Sequence, residues 1–181
     1  MDRYTYELVH KAVGTAKRIS PPYCGPYALC EKAKILLNPV NCGTQEGCIK
    51  GFYQRILRIK HITYNADLPD EILRQVLWHE IGHAFLHSNE RCFDTSFLNS
   101  RETKELQANL FAAEIQVDDD CVQEALMVGS TFERAARELD IPEEILDFKL
   151  RMMVYRGYRL PEVPTYTAST YLRGNKICSP Y

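Results

Sequence analysis

The stretch LWHEIGHAFLH, residues 77 to 87, places three of the chain's five histidines beside a glutamate in a mostly apolar segment. The residues before it, NADLPDEIL, open a helix: Asp67 is the candidate N-cap, Pro69 suits the first turn, and Asp70 and Glu71 stand where acids favour a helix start. The helix is predicted to run to about His87. On it His79 and His83 are four residues apart, so their imidazoles share one face a turn apart, as a common zinc ion requires. Glu80 adjoins the first histidine and is placed to act as general base toward a water at the metal without being a ligand, the H-E-x-x-H arrangement. The competing reading is two histidines satisfied within a packing face. Gly82 speaks against an ordinary surface helix, because glycine costs about 1 kcal/mol relative to alanine there and is kept where a close neighbour needs the space. His87 lies about 12 Å along the axis from His79 at 1.5 Å per residue, too far to share an ion, and reads as a helix-end residue at the negative end of the macrodipole.

A catalytic zinc needs a third protein ligand, and the next helix, predicted over about 101 to 116, carries candidates in RETKELQANLFAAEI. Glu105, Ala108, Asn109 and Ala112 fall on one face, where two alanines permit close approach to the histidine helix. Glu114 lies about half a turn away on the opposite side. Glu102 and Asp94 remain rivals. Asn109, one turn beyond Glu105, is placed to orient a metal-bound imidazole, which favours Glu105.

The 181 residues fit one globular domain, and a formal charge of −2 gives no global attraction to nucleic acid or anionic membrane. No apolar run reaches the length of a spanning helix. The first twenty residues mix charges through their apolar positions and do not read as a secretory signal, so the expected location is cytoplasmic. Seven cysteines include two C-x5-C pairs, Cys24 with Cys30 and Cys42 with Cys48. That spacing is wider than a zinc knuckle normally uses, and a chain without an export signal stays in reducing surroundings, so small semi-buried thiols are expected.

Tyr6, Val9, Val13 and Ala16 repeat at helical spacing and predict a helix over 3–18. A short helix opened by Pro26 follows, then a strand in KILLNPV and at least two more strands in residues 48–65, with no Asn-Gly or Asp-Gly to mark their turn. Residues 160–181 read as an extended tail. The expected organisation is one metallopeptidase domain over 1–159, with an N-terminal helix and loop at 1–25 and a helical subdomain at 117–159. Within that subdomain TFERAARELDIPEEILDFKLRMM looks like a helix-turn-helix whose second helix starts at Pro142. Glu143, Glu144 and Asp147 would repel phosphate there, so a packing cap is expected rather than DNA recognition.

HEIGHAFLH followed by KELQANLFAAE, and preceded by HITYNADLPDEILRQVLW, resembles the ImmA/IrrE family of zinc metallopeptidases over about residues 26–156. The resemblance implies an α+β fold: a small zincin-like core with a short antiparallel or mixed sheet, the H-E-x-x-H helix, and a C-terminal helical cap. It implies His79, His83 and Glu105 as zinc ligands and Glu80 as the base. It also implies a protein substrate, a helix-turn-helix repressor whose cleavage releases stress or mobile-element genes. The amino-terminal region departs most from the family. Lys50, Arg55, Arg58 and Lys60 in the strand region fit a peptide partner, which a strand edge beside the metal helix would bind by main-chain pairing. Tyr53, Tyr64, His61 and Tyr155 are candidate oxyanion donors. The alternative is a zinc-bearing regulator that sequesters its partner without cutting it, and Glu80 separates the two, since binding alone has no use for a general base.

Overall fold

The computed structural model describes residues 1–88, 98–127 and 131–160. The chain opens with α1 (Arg3–Ile19) and a 3-10 turn, followed by α2 (Gly25–Lys32). Strands β1 (Ile35–Val40), β2 (Gly51–Ile56) and β3 (Ile59–Asn65) come next, then helices α3 (Asp70–Leu86), α4 (Leu98–Gln116), α5 (Asp119–Met127), α6 (Phe132–Glu138) and α7 (Glu143–Tyr155). The architecture is α+β, and the sequence-expected helices and strands fall where their periods placed them. Residues 89–97, between α3 and α4, lie outside the described residues, as does the 160–181 tail beyond Leu160.

The sheet is mixed and ordered β1-β3-β2. β1 pairs parallel with β3 from Ile35 opposite Lys60 to Val40 opposite Asn65, and β2 pairs antiparallel with β3 from Gly51 opposite Tyr64 to Ile56 opposite Ile59. The β2–β3 turn that the sequence left unmarked is Leu57-Arg58, with φ of 49° and 70°. Two consecutive left-handed residues are what a type I′ two-residue hairpin demands, and Asn-Gly normally supplies them. Here ordinary L-residues adopt that conformation, at roughly 1–2 kcal/mol each, and Leu57 projects into solvent.

Asp67 does not cap α3. The helix begins at Asp70, after Pro69, and no side chain caps it. Asp67 faces backward instead: one carboxylate oxygen accepts from Asn41 Nδ2 at 2.6 Å and the other from the Gly43 backbone N–H at 2.7 Å. The two donors, on a segment distant in sequence, satisfy the carboxylate more fully than a helix end would, and sequence spacing gives no sign of them.

α1 is capped by Asp2, which accepts from Thr5 N at 2.8 Å and from Thr5 Oγ1 at 2.9 Å. It buries Val9, Val13 and Ala16. α3 lies on the sheet and α4 packs across α3, with α1 and α7 also against α4. α4 buries every residue from Gln107 to Ile115, so it is a central helix. α6 and α7 form the expected helix pair, but α7 buries Ile145 through Leu150 together with Met152 and Met153. One apolar cluster runs from Val9 through Leu77 and Phe111 to Met153. Among the described residues, no helix is long and apolar enough to cross a membrane.

Two glycines set the layer spacing. A Cβ on Gly51 would lie 2.6 Å from Val76 Cγ1, and one on Gly82 would lie 3.0 Å from the Ala108 carbonyl oxygen and 3.1 Å from its Cα. The close neighbour implied by Gly82 is therefore the backbone of α4. Gly82→Val should push the two helices apart and lower the unfolding free energy by about 1–3 kcal/mol, the usual cost of overpacking. Urea denaturation measures it, and an unchanged midpoint would show that the contact yields freely.

Candidate metal centre

α3 is apolar on nearly all sides, burying Leu77, Trp78, Ile81 and Ala84, so its polar residues enter the interior with it. His79 and Glu80 are buried, at 4% and 7% exposure. A buried imidazole is costly unless something engages it, and for His79 α4 supplies it. The Glu105 carboxylate reaches both histidines, with Oε2 3.2 Å from His79 Nε2 and Oε1 3.7 Å from His83 Nε2. The two Nε2 atoms are 3.2 Å apart. Their rings meet edge to face, with centroids 4.8 Å apart.

The Nδ1 of His79 is 2.8 Å from Asn109 Oδ1. An amide oxygen only accepts, so Nδ1 carries a proton, which leaves Nε2, facing His83 and Glu105, as the ring nitrogen able to give up its proton and ligate a metal. This is how an outer partner fixes the tautomer of a metal-binding histidine. His79, His83 and Glu105 offer ligand atoms all within 4.8 Å of one another. Two imidazole nitrogens and one carboxylate at these separations suit a small divalent cation at bond lengths near 2 Å.

The electrostatics point the same way. Burial opposes charge on His79, but the hydrogen bond to Glu105, the charges of Glu80 and Glu105, and the bond to Asn109 outweigh it and raise its pKa above the ordinary histidine value. Burial likewise opposes charge on Glu105, yet its hydrogen bonds to His79 and His83 and their charges hold it well below the usual carboxylate range. The site favours positive charge at its centre.

The other acids are elsewhere. Glu102 is exposed on α4, and Asp94 lies outside the described residues. Glu114 is buried on another side of α4, where it accepts from Lys149 Nζ at 3.0 Å and from both terminal nitrogens of Arg156 at 2.6 and 3.0 Å. Asp119 joins them, 2.7 Å from Lys149 Nζ and 2.7 Å from Arg156. Sequence reading missed this cluster, because a lysine at 1% exposure gives no signal distinct from a surface lysine. His87 caps the C-terminal end of α3 and its ring is tilted against that of His83, with centroids 5.4 Å apart.

Of the four oxyanion candidates, His61 sits with Nδ1 3.3 Å from Asn38 Nδ2, Tyr64 meets Tyr27 edge-on, and Tyr155 stacks on Tyr6. Tyr53 lies on β2, two residues beyond Gly51, where an added Cβ would be 3.6 Å from Glu80 Cγ. The cysteines are more accessible than expected: Cys24, Cys42 and Cys121 are exposed, Cys48 is half-buried and Cys30 is buried. Cys92 and Cys178 lie outside the described residues.

Comparison with known proteins gives the same region. Residues 30–151 match Peptidase_M78, the IrrE N-terminal-like domain. The chain is 30% identical over 155 residues to the uncharacterized immunity region protein 2 of Bacillus phage phi105, covering 82% of this chain and 92% of that protein. It is 28% identical over 128 residues to the metallopeptidase ImmA of Bacillus subtilis strain 168, covering 68% of this chain and 73% of that protein. The matched span contains the whole sheet, α3 and α4, with every residue of the His79–His83–Glu105 cluster, and the chain belongs to the ImmA/IrrE family.

Proposed function

We propose that this protein is a zinc-dependent endopeptidase that cleaves a helix-turn-helix repressor. The observation that carries the reading is the convergence of His79, His83 and Glu105 with Glu80 next to the first histidine on the same buried helix. Its relatives' names, a metallopeptidase and a phage immunity region protein, agree with it. His79, His83 and Glu105 would hold the zinc, and Asn109 would hold His79 in the ligating tautomer. Zinc there supplies Lewis acidity that polarises a scissile carbonyl and acidifies water. Glu80 takes a proton from the attacking water and gives it to the departing amine, and Tyr53 is the candidate donor to the oxyanion.

β2 stands at the sheet edge and runs alongside α3, so an extended peptide adding to β2 would pass the site with its backbone fixed by main-chain bonds. Residues 1–159 act as a single zincin-like unit in this reading, supported by the shared apolar cluster. The 117–159 helices serve as a cap, supported by the burial of α7, which leaves little of that helix to enter a DNA groove. A cytoplasmic repressor is the partner, without direct contact to nucleic acid or membrane.

Two measurements test this. Purified protein should hold about one zinc per chain, which His83→Ala or Glu105→Ala should largely remove. Asn109→Ala should weaken the metal about 10- to 100-fold. Elemental analysis and competition with a chelator read both, and zinc retained in full by Glu105→Ala would reject the third ligand.

Glu80→Gln keeps size and hydrogen bonding but accepts no proton, so zinc and fold should survive while cleavage falls about 100- to 10,000-fold. The chain and its Glu80→Gln form are each co-expressed with a candidate repressor, and repressor length is followed together with promoter output. Intact repressor with both forms, while both release the promoter, would replace the peptidase reading with sequestration by a zinc-bearing regulator.

A further inference from the structure

The segment joining β1 to β2 folds back on itself and brings Cys48 onto Cys42. The Cys48 thiol donates to the Cys42 carbonyl oxygen, with sulfur and oxygen 3.0 Å apart, and the sulfur lies 3.6 Å from Gln45 Oε1. The Cys48 backbone N–H donates to the Gln45 carbonyl at 3.1 Å. Gly43 and Gly47, with φ of 74° and 99°, permit the reversal. The turn is also tied from outside. Asn65 accepts from the Cys42 N–H at 3.3 Å and donates to the Gly43 carbonyl at 2.7 Å, and Asp67 accepts from the Gly43 N–H at 2.7 Å.

The Cys48 sulfur thus lies against the main chain of Cys42 itself. Rotation about χ1 of the exposed Cys42 moves its sulfur about a fixed Cβ, and closure requires the turn to hold the two Cβ atoms at the roughly 3.5–4.5 Å separation of a disulfide. The two thiols also differ in access, since Cys42 is exposed while Cys48 is half-buried and engaged as a donor. Attack on an external oxidant therefore begins at Cys42, with Cys48 as the resolving thiol. The buried Cys30 is a contrast within the same chain: burial pushes its thiol up to about 12 and leaves it protonated at neutral pH.

We propose that Cys42 and Cys48 form a redox-active dithiol that closes to an intramolecular disulfide by exchange with a low-molecular-weight disulfide. The Cys42 thiolate attacks one sulfur of oxidised glutathione, breaking its S–S bond and expelling one glutathione thiolate. The Cys48 thiolate then attacks the Cys42 sulfur of the mixed disulfide and expels the second. The protein loses two protons and two electrons, and the oxidant leaves as two glutathione thiols.

The closed 42–48 ring would be tied at Asn65 and Asp67 and would end two residues before Lys50, whose carbonyl accepts from the Asn65 N–H at 2.9 Å. The next residue, Gly51, lies against Val76 and Glu80. Oxidation thus removes freedom from the start of the edge strand. Its consequence for substrate rests on the peptidase reading, whereas the disulfide itself does not.

The test uses the full, zinc-loaded chain treated with oxidised glutathione, quenched by alkylation, digested and mapped by mass spectrometry. The expected product joins Cys42 to Cys48 within one chain, two hydrogens lighter than the reduced form. Cys48→Ser should stop at a glutathione adduct on Cys42, and Glu80→Gln, whatever its activity, should close the same bond as the unaltered chain. A persistent glutathione adduct on Cys42 of the unaltered chain, or bonds from Cys42 or Cys48 to other cysteines, would overturn the proposal.

Discussion

The contact on which the site depends is the approach of α3 to α4 at Gly82 and Ala108, where a single methyl group on the glycine would meet backbone at 3.0 Å. Helices that pack through ordinary side chains stand 8–10 Å apart. Small residues on both sides allow the closer end of that range, which lets the Glu105 carboxylate span to two histidines and Asn109 reach His79. A modest widening would break both contacts at once, because hydrogen bonds weaken steeply with length and angle. The glycine weakens its own helix by propensity but lets the buried His79 and the half-buried His83 and Glu105 engage one another.

α4 carries charge on two separate faces. One holds Glu105 and Asn109, and the other holds Glu114 against Lys149 of α7 and Arg156 at its C-cap. Buried ion pairs rarely stabilise a protein more than a well-packed apolar replacement would, but breaking one by removing a single partner is costly. The Glu114 cluster is better understood as a means of specification. Glu114 accepts from Arg156 through both oxygens, and Asp119 at the start of α5 joins the same cations, so α4, α5 and the end of α7 have one favourable relative placement. α4 is thereby held from behind while its front face meets α3.

Much of this was legible in the sequence where the signal was periodic or local. Val9, Val13 and Ala16 mark a buried helical stripe, the spacing of His79 and His83 places them together, and Gly82 announces a close neighbour before that neighbour is known. Glu105 stands out because Ala108, Asn109 and Ala112 share its face. Contacts distant in sequence were not legible. Asp67 has the look of an N-cap, yet Asn41 and Gly43 claim it. Lys149 is indistinguishable by composition from a solvated lysine until Glu114 and Asp119 are seen beside it. The hairpin turn escaped notice because Leu57 and Arg58 are the wrong residues for it by propensity, and strand pairing on either side overrides that preference.

The strand order has a consequence for how the chain folds. β2 and β3 are neighbours in sequence, and a hairpin of this kind closes in roughly 1–10 μs, although its left-handed Leu57-Arg58 corner gives it no help. β1 comes first off the ribosome but pairs parallel with β3, across the intervening loop and β2. It must therefore wait, and until β3 arrives the apolar run Ile35-Leu36-Leu37 has no strand to join. The slow event in assembly is then the docking of the earliest strand onto the latest, a non-local closure of the sort that retards folding. Pro39 within β1 lacks the N–H a continuous ladder would use, and it makes this waiting strand a poorer template for the same segment of another molecule.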